Sequence, residues 1–279
     1  MTKIDASSVS LTEEESRISE EFVAARQNAI PLPVFPGPLP QTTAAAYAIQ
    51  MASIAKWPDD VVGWKVGGIP ENFQAKYGEE RLVGPIFSRS VRELTDGEVA
   101  FMPVIPGGFA AVEAEYLIKV KQAVEPGARA TDLESLMDLV DCLHLGVEIA
   151  SSPFADINKL GPCSIITDFG NNAGLVIGKR IEDWQSYPSS AFCARVTIDG
   201  SEVGNATGAA SIEQGPLAAL AFVLNQFAHR GMTLEQGVWI SSGAVSGVHE
   251  INIGSCSVAE FGEFGSIEVE ILKAQPMTR

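Results

Sequence analysis

The spacing of apolar positions divides the chain into two textures. Ser10 followed by Glu13 reads as a capping box that opens an amphipathic helix running to about Ala29. Five prolines between residues 31 and 41 then exclude regular helix or an interior strand. An Ala-rich helix is predicted from Thr42 to Trp57, with Tyr47, Met51 and Ile54 at helical spacing, and it stops before Pro58. A strand over Val61–Gly67 and a short helix over Glu71–Tyr77 follow.

From about residue 98 the period drops from near four to two. Val112, Ala114, Tyr116, Ile118 and Val120 alternate with Glu113, Glu115, Leu117 and Lys119, the signature of a strand with polar residues on one face. Further strands are predicted at 142–149, 163–168, 173–178, 191–199, 202–207, 237–242, 256–261 and 265–271. Helices are predicted near 131–139 and over 215–230, the latter closing on Gly231 as a C-cap. Short strands punctuated by glycine point to a β-rich sandwich or roll, an α+β chain rather than alternating βαβ units. The expected division is a helical and mixed region over 1–97 and a β-rich catalytic domain over 98–279.

Composition narrows the function classes. With 279 residues, 46% of them hydrophobic and 19% charged, the chain can bury a sizeable core, which excludes disorder and fibrous repeats. A formal charge of −16 repels phosphate backbones and anionic bilayers, so neither nucleic acid nor a membrane surface is an expected partner. Cys142, Cys163, Cys193 and Cys256 form no CxxC pair, and no secretory or membrane-spanning apolar run is visible, which together predict a cytoplasmic protein. An anionic substrate would be repelled unless a local cation reversed the field.

Glu113-Ala114-Glu115 is the place where such a cation is expected. Residues two apart on a strand point the same way, and two carboxylates in apolar company repel unless a cation or a proton lies between them. Oxygen donors of this kind suit Mg²⁺ or Mn²⁺. Glu148, in the apolar stretch Leu143–Ile149, is a third acid with no structural reason to be there. The pattern alone is equally compatible with a solvated acidic strand. Lys65, inside Val62-Gly63-Trp64-Lys65-Val66-Gly67-Gly68, reads either as a strand lysine snorkelling to water or as a cation that neutralises a substrate carboxylate. No GxSxG elbow, GxGxxG fingerprint or Walker loop is present.

At these residues the chain resembles the fumarylacetoacetate hydrolase superfamily, in its 2-keto-4-pentenoate hydratase and 4-oxalocrotonate decarboxylase branch. The resemblance rests on Ala46-Tyr47-Ala48-Ile49-Gln50, Gly63-Trp64-Lys65-Val66-Gly67, Val112-Glu113-Ala114-Glu115, Gly146-Val147-Glu148-Ile149, Gly215-Pro216-Leu217, Ser242-Gly243 and Phe264-Gly265-Ser266-Ile267, in order. It implies a small N-terminal helical region packed on a mixed β-sandwich roll. It also implies Mg²⁺ or Mn²⁺ held by Glu113, Glu115 and Glu148, with Lys65, Ser242 and Gly243 at the substrate. The implied reaction is addition of water to a 2-hydroxy-2,4-dienoate, giving a 4-hydroxy-2-oxo acid. Decarboxylation of a 2-oxo-enedioate is the alternative, and a non-catalytic partner subunit of the same fold is a third. A homo-oligomer, with a partner decarboxylase or hydratase, is the assembly the resemblance implies.

Two departures touch the pocket. Members usually carry an arginine shortly after the third ligand, where this chain reads Ser151-Ser152-Pro153-Phe154. Where they commonly read D-N-A-S, it reads Asp168-Phe169-Gly170-Asn171. Asp168 is expected to face the pocket as a hydrogen-bonding or proton-transfer group, the alternative being a cap on the Gly170–Asn172 turn. No His-Glu pair precedes the first ligands, which sets the hydrolase branch aside.

Overall fold

A computed structural model describes residues 11–95, 97–128, 132–206 and 212–278. Helix α1 (Glu13–Asn28) begins at a capping box two residues downstream of the expected one. The Thr12 hydroxyl accepts from the Glu15 N–H while the Glu15 carboxylate accepts from the Thr12 N–H. Ser10 lies outside the described residues. Helix α2 (Thr43–Lys56) is capped by Thr42 and packs on α1. Ile18, Phe22 and Ile49 from this pair close over Phe109 and Phe154.

The chain continues through β1 (Val61–Gly68), α3 (Glu71–Tyr77), β2 (Arg81–Phe87), β3 (Val91–Glu93), β4 (Val99–Val104) and β5 (Phe109–Val120). Then follow α4 (Leu133–Asp138), β6 (Val140–Ser152), α5 (Pro162–Thr167), β7 (Asn172–Ile181), β8 (Ala194–Ile198) and β9 (Ser201–Ala206). A π-helical turn, Glu213–Leu217, leads into α6 (Ala218–Arg230). Strands β10 (Trp239–Ser241), β11 (His249–Glu250), β12 (Cys256–Glu260) and β13 (Ser266–Lys273) complete the order.

These strands form two mixed sheets. The larger runs β2-β1-β10-β5-β6-β7-β3, with β11 also on β5, and the smaller runs β4-β13-β12-β8-β9. Strands β1 and β10, β3 and β7, and β4 and β13 pair in parallel. Although β2 and β7 stand far apart in the larger sheet, they touch, so that sheet curls into a half-barrel. The α+β roll expected from the sequence is the fold observed.

The period-two pattern of β5 explains how the layers meet. Val112, Ala114, Tyr116 and Ile118 enter the main core, where Tyr116 packs edge-on against Phe192 and Phe261 and donates to the Cys193 carbonyl. Glu113, Glu115 and Leu117 take the opposite, concave face. There Leu117 joins Ile86, Leu175, Ile177 and Trp239 in a small apolar floor.

Five elements differ from expectation. Residues 163–168 were expected as a strand, but Pro162–Thr167 form helix α5. Pro162 starts the helix at N1, and the Ser164 hydroxyl donates to Ile157 O and Gly161 O, while the apolar run is buried all round and carries no period. Strand β2 was not expected because it contains Gly84 and Pro85. It lies at the edge of the sheet order, where a proline leaves no ladder bond missing on its outer side. Strands β3, β4 and β11 were likewise unread. No helix among the described residues is long and apolar enough to cross a membrane.

Candidate metal centre

Strand register assembles the site. Glu113 on β5 stands directly opposite Glu148 on β6, an arrangement of like charges that is unfavourable without a cation. Glu115, two residues along β5, shares their face. One carboxylate oxygen from each residue lies within 4.8 Å of those of the other two, and all three side chains are buried. On the neighbouring strand, Ser241 of β10 donates its hydroxyl to Glu115 Oε2, a very short contact. Asn172, opening β7, donates Nδ2 to Glu148 Oε1 at 3.0 Å.

Lys65 comes to the same place from β1. Its side chain is buried, with Nζ 3.4 Å from Glu148 Oε1 and 3.5 Å from Asn171 Oδ1, so it does not snorkel to water. Gly84, its cross-strand neighbour on β2, has a specific reason to lack a side chain. A Cβ there would lie 2.2 Å from Phe169 O, so only glycine lets the Phe169–Asn171 turn approach. Phe169 and Asn171 both hold positive φ, 55° and 54°, and this strained turn aims Asn171 at the lysine.

Burial and mutual repulsion disturb the titration of the cluster. Burial pushes the Glu113 carboxyl up to about 7, with Lys65 pulling it down and Glu148 pushing it further up. Glu115 stands well above the ordinary range through burial and through Glu148 and Glu113, against the donation from Ser241. Burial works against the Lys65 ammonium, but Glu148, Glu113 and Glu115 outweigh it and hold its pKa above the ordinary lysine value. Three carboxylates against one ammonium leave a deficit of two positive charges. Glu115 Oε1 and Glu148 Oε2 are buried with no hydrogen-bond partner among the described residues, a costly state unless something else binds them. Hard oxygen donors, orphaned lone pairs and a deficit of two charges all fit one divalent cation such as Mg²⁺ or Mn²⁺.

Asp168 ends α5, and its carboxylate pairs with Arg26. Arg26 of α1 donates Nε to Oδ1 at 2.5 Å and Nη2 to Oδ2 at 2.9 Å, both side chains being buried. The same guanidinium donates to Ser151 O, Asn172 O and Asp168 O and lies over the Phe169 ring. Arg26 thus arrives from the first helix to bond the β6 backbone three residues beyond Glu148. The turn that follows Asp168 is closed by Asn171 N–H donating to the Asp168 carbonyl, with no side-chain cap.

Ser242 and Gly243 follow Ser241 directly and line a cleft of about 450 Å³ together with Gly68 at the end of β1. The residues that sequence reasoning missed are Arg26, Ser241, Asn171 and Asn172. Only the Asn171-Asn172 pair after Asp168 left a trace in the pattern. The others are remote in sequence and ordinary in type.

No protein-family model matches the sequence, and no curated protein does. Solved structures do match. The 4-oxalocrotonate decarboxylase from Pseudomonas putida G7, complexed with calcium and acetate, superposes with a TM-score of 0.76 over 94% of this chain and 99% of its own, at 20% identity. The same enzyme complexed with magnesium and adipate gives 0.75 over the same spans. Fumarylpyruvate hydrolase from Pseudomonas aeruginosa, in complex with Mn²⁺ and pyruvate, gives 0.56 over 76% of this chain and 89% of its own, at 14% identity. The chain has the fold of the fumarylacetoacetate hydrolase superfamily.

Proposed function

We propose that the protein is a divalent-metal-dependent lyase acting on a small 2-oxo or 2-hydroxydienoic acid, with hydration of the conjugated system as its reaction. The observation that carries this reading is the convergence of Glu113, Glu115 and Glu148 beside Lys65, with two buried carboxylate oxygens left unpartnered among the described residues. These three residues would hold Mg²⁺ or Mn²⁺, the ions named with the solved structures of similar fold. A bound ion supplies Lewis acidity toward a 2-oxo acid and so an electron sink at the 2-oxygen.

The chain's own residues do the rest. Ser241 holds Glu115 and Asn172 holds Glu148, which fixes the orientation of two of the three carboxylates. The Lys65 ammonium, kept charged by the triad, pairs with the substrate carboxylate or enolate oxygen. Its dry setting between β2 and the Phe169–Asn171 turn strengthens that contact. Ser242 and Gly243 contact the substrate tail as it leaves the triad. Asp168, paired to Arg26, acts as a positioning residue that fixes the backbone around Asn172.

A second reading, decarboxylation of a 2-oxo-enedioate, draws support from the similarity to 4-oxalocrotonate decarboxylase along nearly the whole of both chains. The same site would stabilise the dienolate left by CO₂. One experiment tests the proposal and separates the two. Mn²⁺ binding is measured for the wild type and Glu148→Gln, and turnover of 2-hydroxypenta-2,4-dienoate and of 2-oxohex-3-enedioate with Mg²⁺ is followed by dienol absorbance and CO₂ release. The expected result is one Mn²⁺ per chain, binding weakened at least ten-fold in Glu148→Gln, and dienol consumption without CO₂. A wild type that binds no divalent ion refutes the proposal, and CO₂ release selects the second reading.

A further inference from the structure

A chain of polar groups runs from the buried lysine to the surface. The Lys65 ammonium lies between Glu148 Oε1 at 3.4 Å and Asn171 Oδ1 at 3.5 Å. Asn171 is itself buried, and its Nδ2 donates to Asn158 Oδ1 at 3.2 Å. Asn158 belongs to the turn Ile157–Leu160 and is exposed, so the chain of contacts ends at water.

Two separate causes act on Asn171. Its φ of 54° favours asparagine over most side chains for backbone reasons alone. The direction of its amide is a different matter. An amide offers an acceptor at one end and donors at the other, and only the acceptor suits an ammonium. With the amide reversed, Nδ2 would face Nζ, and the ammonium would be driven onto Glu148. The group on the far side decides the direction, and among the described residues Asn158 Oδ1 is the acceptor that Nδ2 finds. An exposed side chain is ordinarily a loose anchor, but the backbone of this one is pinned. Ile157 beside it is fully buried in the apolar cluster with Ile18, Phe22 and Ile49, and its carbonyl accepts from the Ser164 hydroxyl. Lys159 N–H donates to Asp156 O, and Gly161 N–H donates to Asn158 O.

We propose that Asn158 is a positioning residue: its amide oxygen sets the direction of the Asn171 amide, which holds the Lys65 ammonium off Glu148 and available to substrate. This rests on the metal-site reading above, in which Glu148 is a ligand. The ammonium and a divalent ion are drawn to the same carboxylate and repel each other there. A lysine that slumps onto Glu148 therefore weakens metal binding, and the role of Asn158 can be read without turnover.

The test is calorimetric titration with Mn²⁺ of the wild type, Asn158→Leu, Asn158→Asp, Lys65→Met and the double variant Asn158→Leu/Lys65→Met, with thermal melts confirming the fold. Leucine keeps the shape of asparagine, removes the acceptor and keeps water from Asn171 Nδ2, whereas aspartate keeps the acceptor. Asn158→Leu should bind Mn²⁺ roughly three- to ten-fold more weakly than the wild type, the effect of one hydrogen bond, and its kcat/KM should fall as well. Asn158→Asp should keep at least the wild-type affinity. In the Lys65→Met background the leucine substitution should change Mn²⁺ affinity by less than about two-fold, since the group it acts through is gone. Equal Mn²⁺ affinity or equal kcat/KM in wild type and Asn158→Leu overturns the assignment while leaving the metal site standing. So does a loss in Asn158→Asp as large as in Asn158→Leu, or a loss that persists without Lys65. A wild type that binds no Mn²⁺ removes the metal-site reading and this inference with it.

Discussion

Replacing Arg26 by methionine removes the partner of a fully buried carboxylate and leaves the packing volume nearly unchanged. In the wild type both Asp168 oxygens are occupied by the guanidinium, at 2.5 and 2.9 Å, and three carbonyls, those of Ser151, Asp168 and Asn172, accept from it as well. Breaking a buried pair from one side typically costs about 3–5 kcal/mol, because the remaining charge is uncompensated. That is a large share of the roughly 5–15 kcal/mol that holds a domain folded, and it corresponds to a loss of Tm on the order of 10 °C. Urea unfolding of wild type, Arg26→Met, Asp168→Leu and the double variant forms a thermodynamic cycle. The double variant should be more stable than the sum of the single losses predicts, since no charge is then stranded. Mn²⁺ affinity should fall in Arg26→Met, because Asn172, whose carbonyl Arg26 holds, also holds Glu148. A loss below about 1 kcal/mol, or strict additivity in the cycle, refutes the claim that this pair anchors α1 to the site.

Lys65→Met should lower kcat/KM by roughly ten- to a hundred-fold without weakening Mn²⁺ binding, since losing a neighbouring cation relieves repulsion. Loss of metal in steady-state and titration data would assign Lys65 to structure instead. For chelator-treated protein, Glu113 at about 7 in the fold against an ordinary 4.5 means that the native state holds the extra proton between those values. Stability contributed by that protonation is present below about pH 4.5 and is lost as pH rises to about 7, a fall of about 3 kcal/mol that urea titrations should show in wild type and not in Glu113→Gln. A wild type whose difference from Glu113→Gln does not change over that window contradicts the burial argument. Gly84→Ala should cost about 1–3 kcal/mol and lower turnover, because the Phe169 carbonyl cannot yield and Asn171 moves away from Lys65. Gly215→Ala, with open space at its Cβ, is the control and should stay within about 0.5 kcal/mol.

Whatever was written in local spacing could be read from the sequence. The period of two through 112–120 placed Glu113 and Glu115 on one face, and the apolar company of Glu148 and Lys65 singled both out, although a solvated acidic strand and a snorkelling lysine fitted the same pattern. The roll followed from short strands and glycine punctuation. Long-range pairing was not legible. Arg26 sits 142 residues from Asp168, and nothing in an ordinary helix-ending arginine announces that partner. Ser241 meets Glu115 only because β10 is inserted between β1 and β5, an order that no local signal encodes. The run 163–168 was misread for a different reason: a short apolar stretch buried on every side has no period, so strand and helix look alike until its neighbours are known.

The curl of the larger sheet sets the charge balance of the site. Lys65 and Glu148 belong to strands β1 and β6, which are separated by β10 and β5, yet their charged ends lie 3.4 Å apart. Flat strands at about 4.8 Å spacing would hold their backbones some 14 Å apart, so the concave face gathers side chains by its girth. The approach of Lys65 to the triad is then a property of curvature, whereas the gaps among Glu113, Glu115 and Glu148 are set by the adjacent strands β5 and β6. Leu117, Leu175 and Trp239 pack on the floor of the same curved face. Substitutions there that open or tighten the sheet would move the ammonium relative to the acids, so the charge balance of the site can drift without any acid or base being replaced.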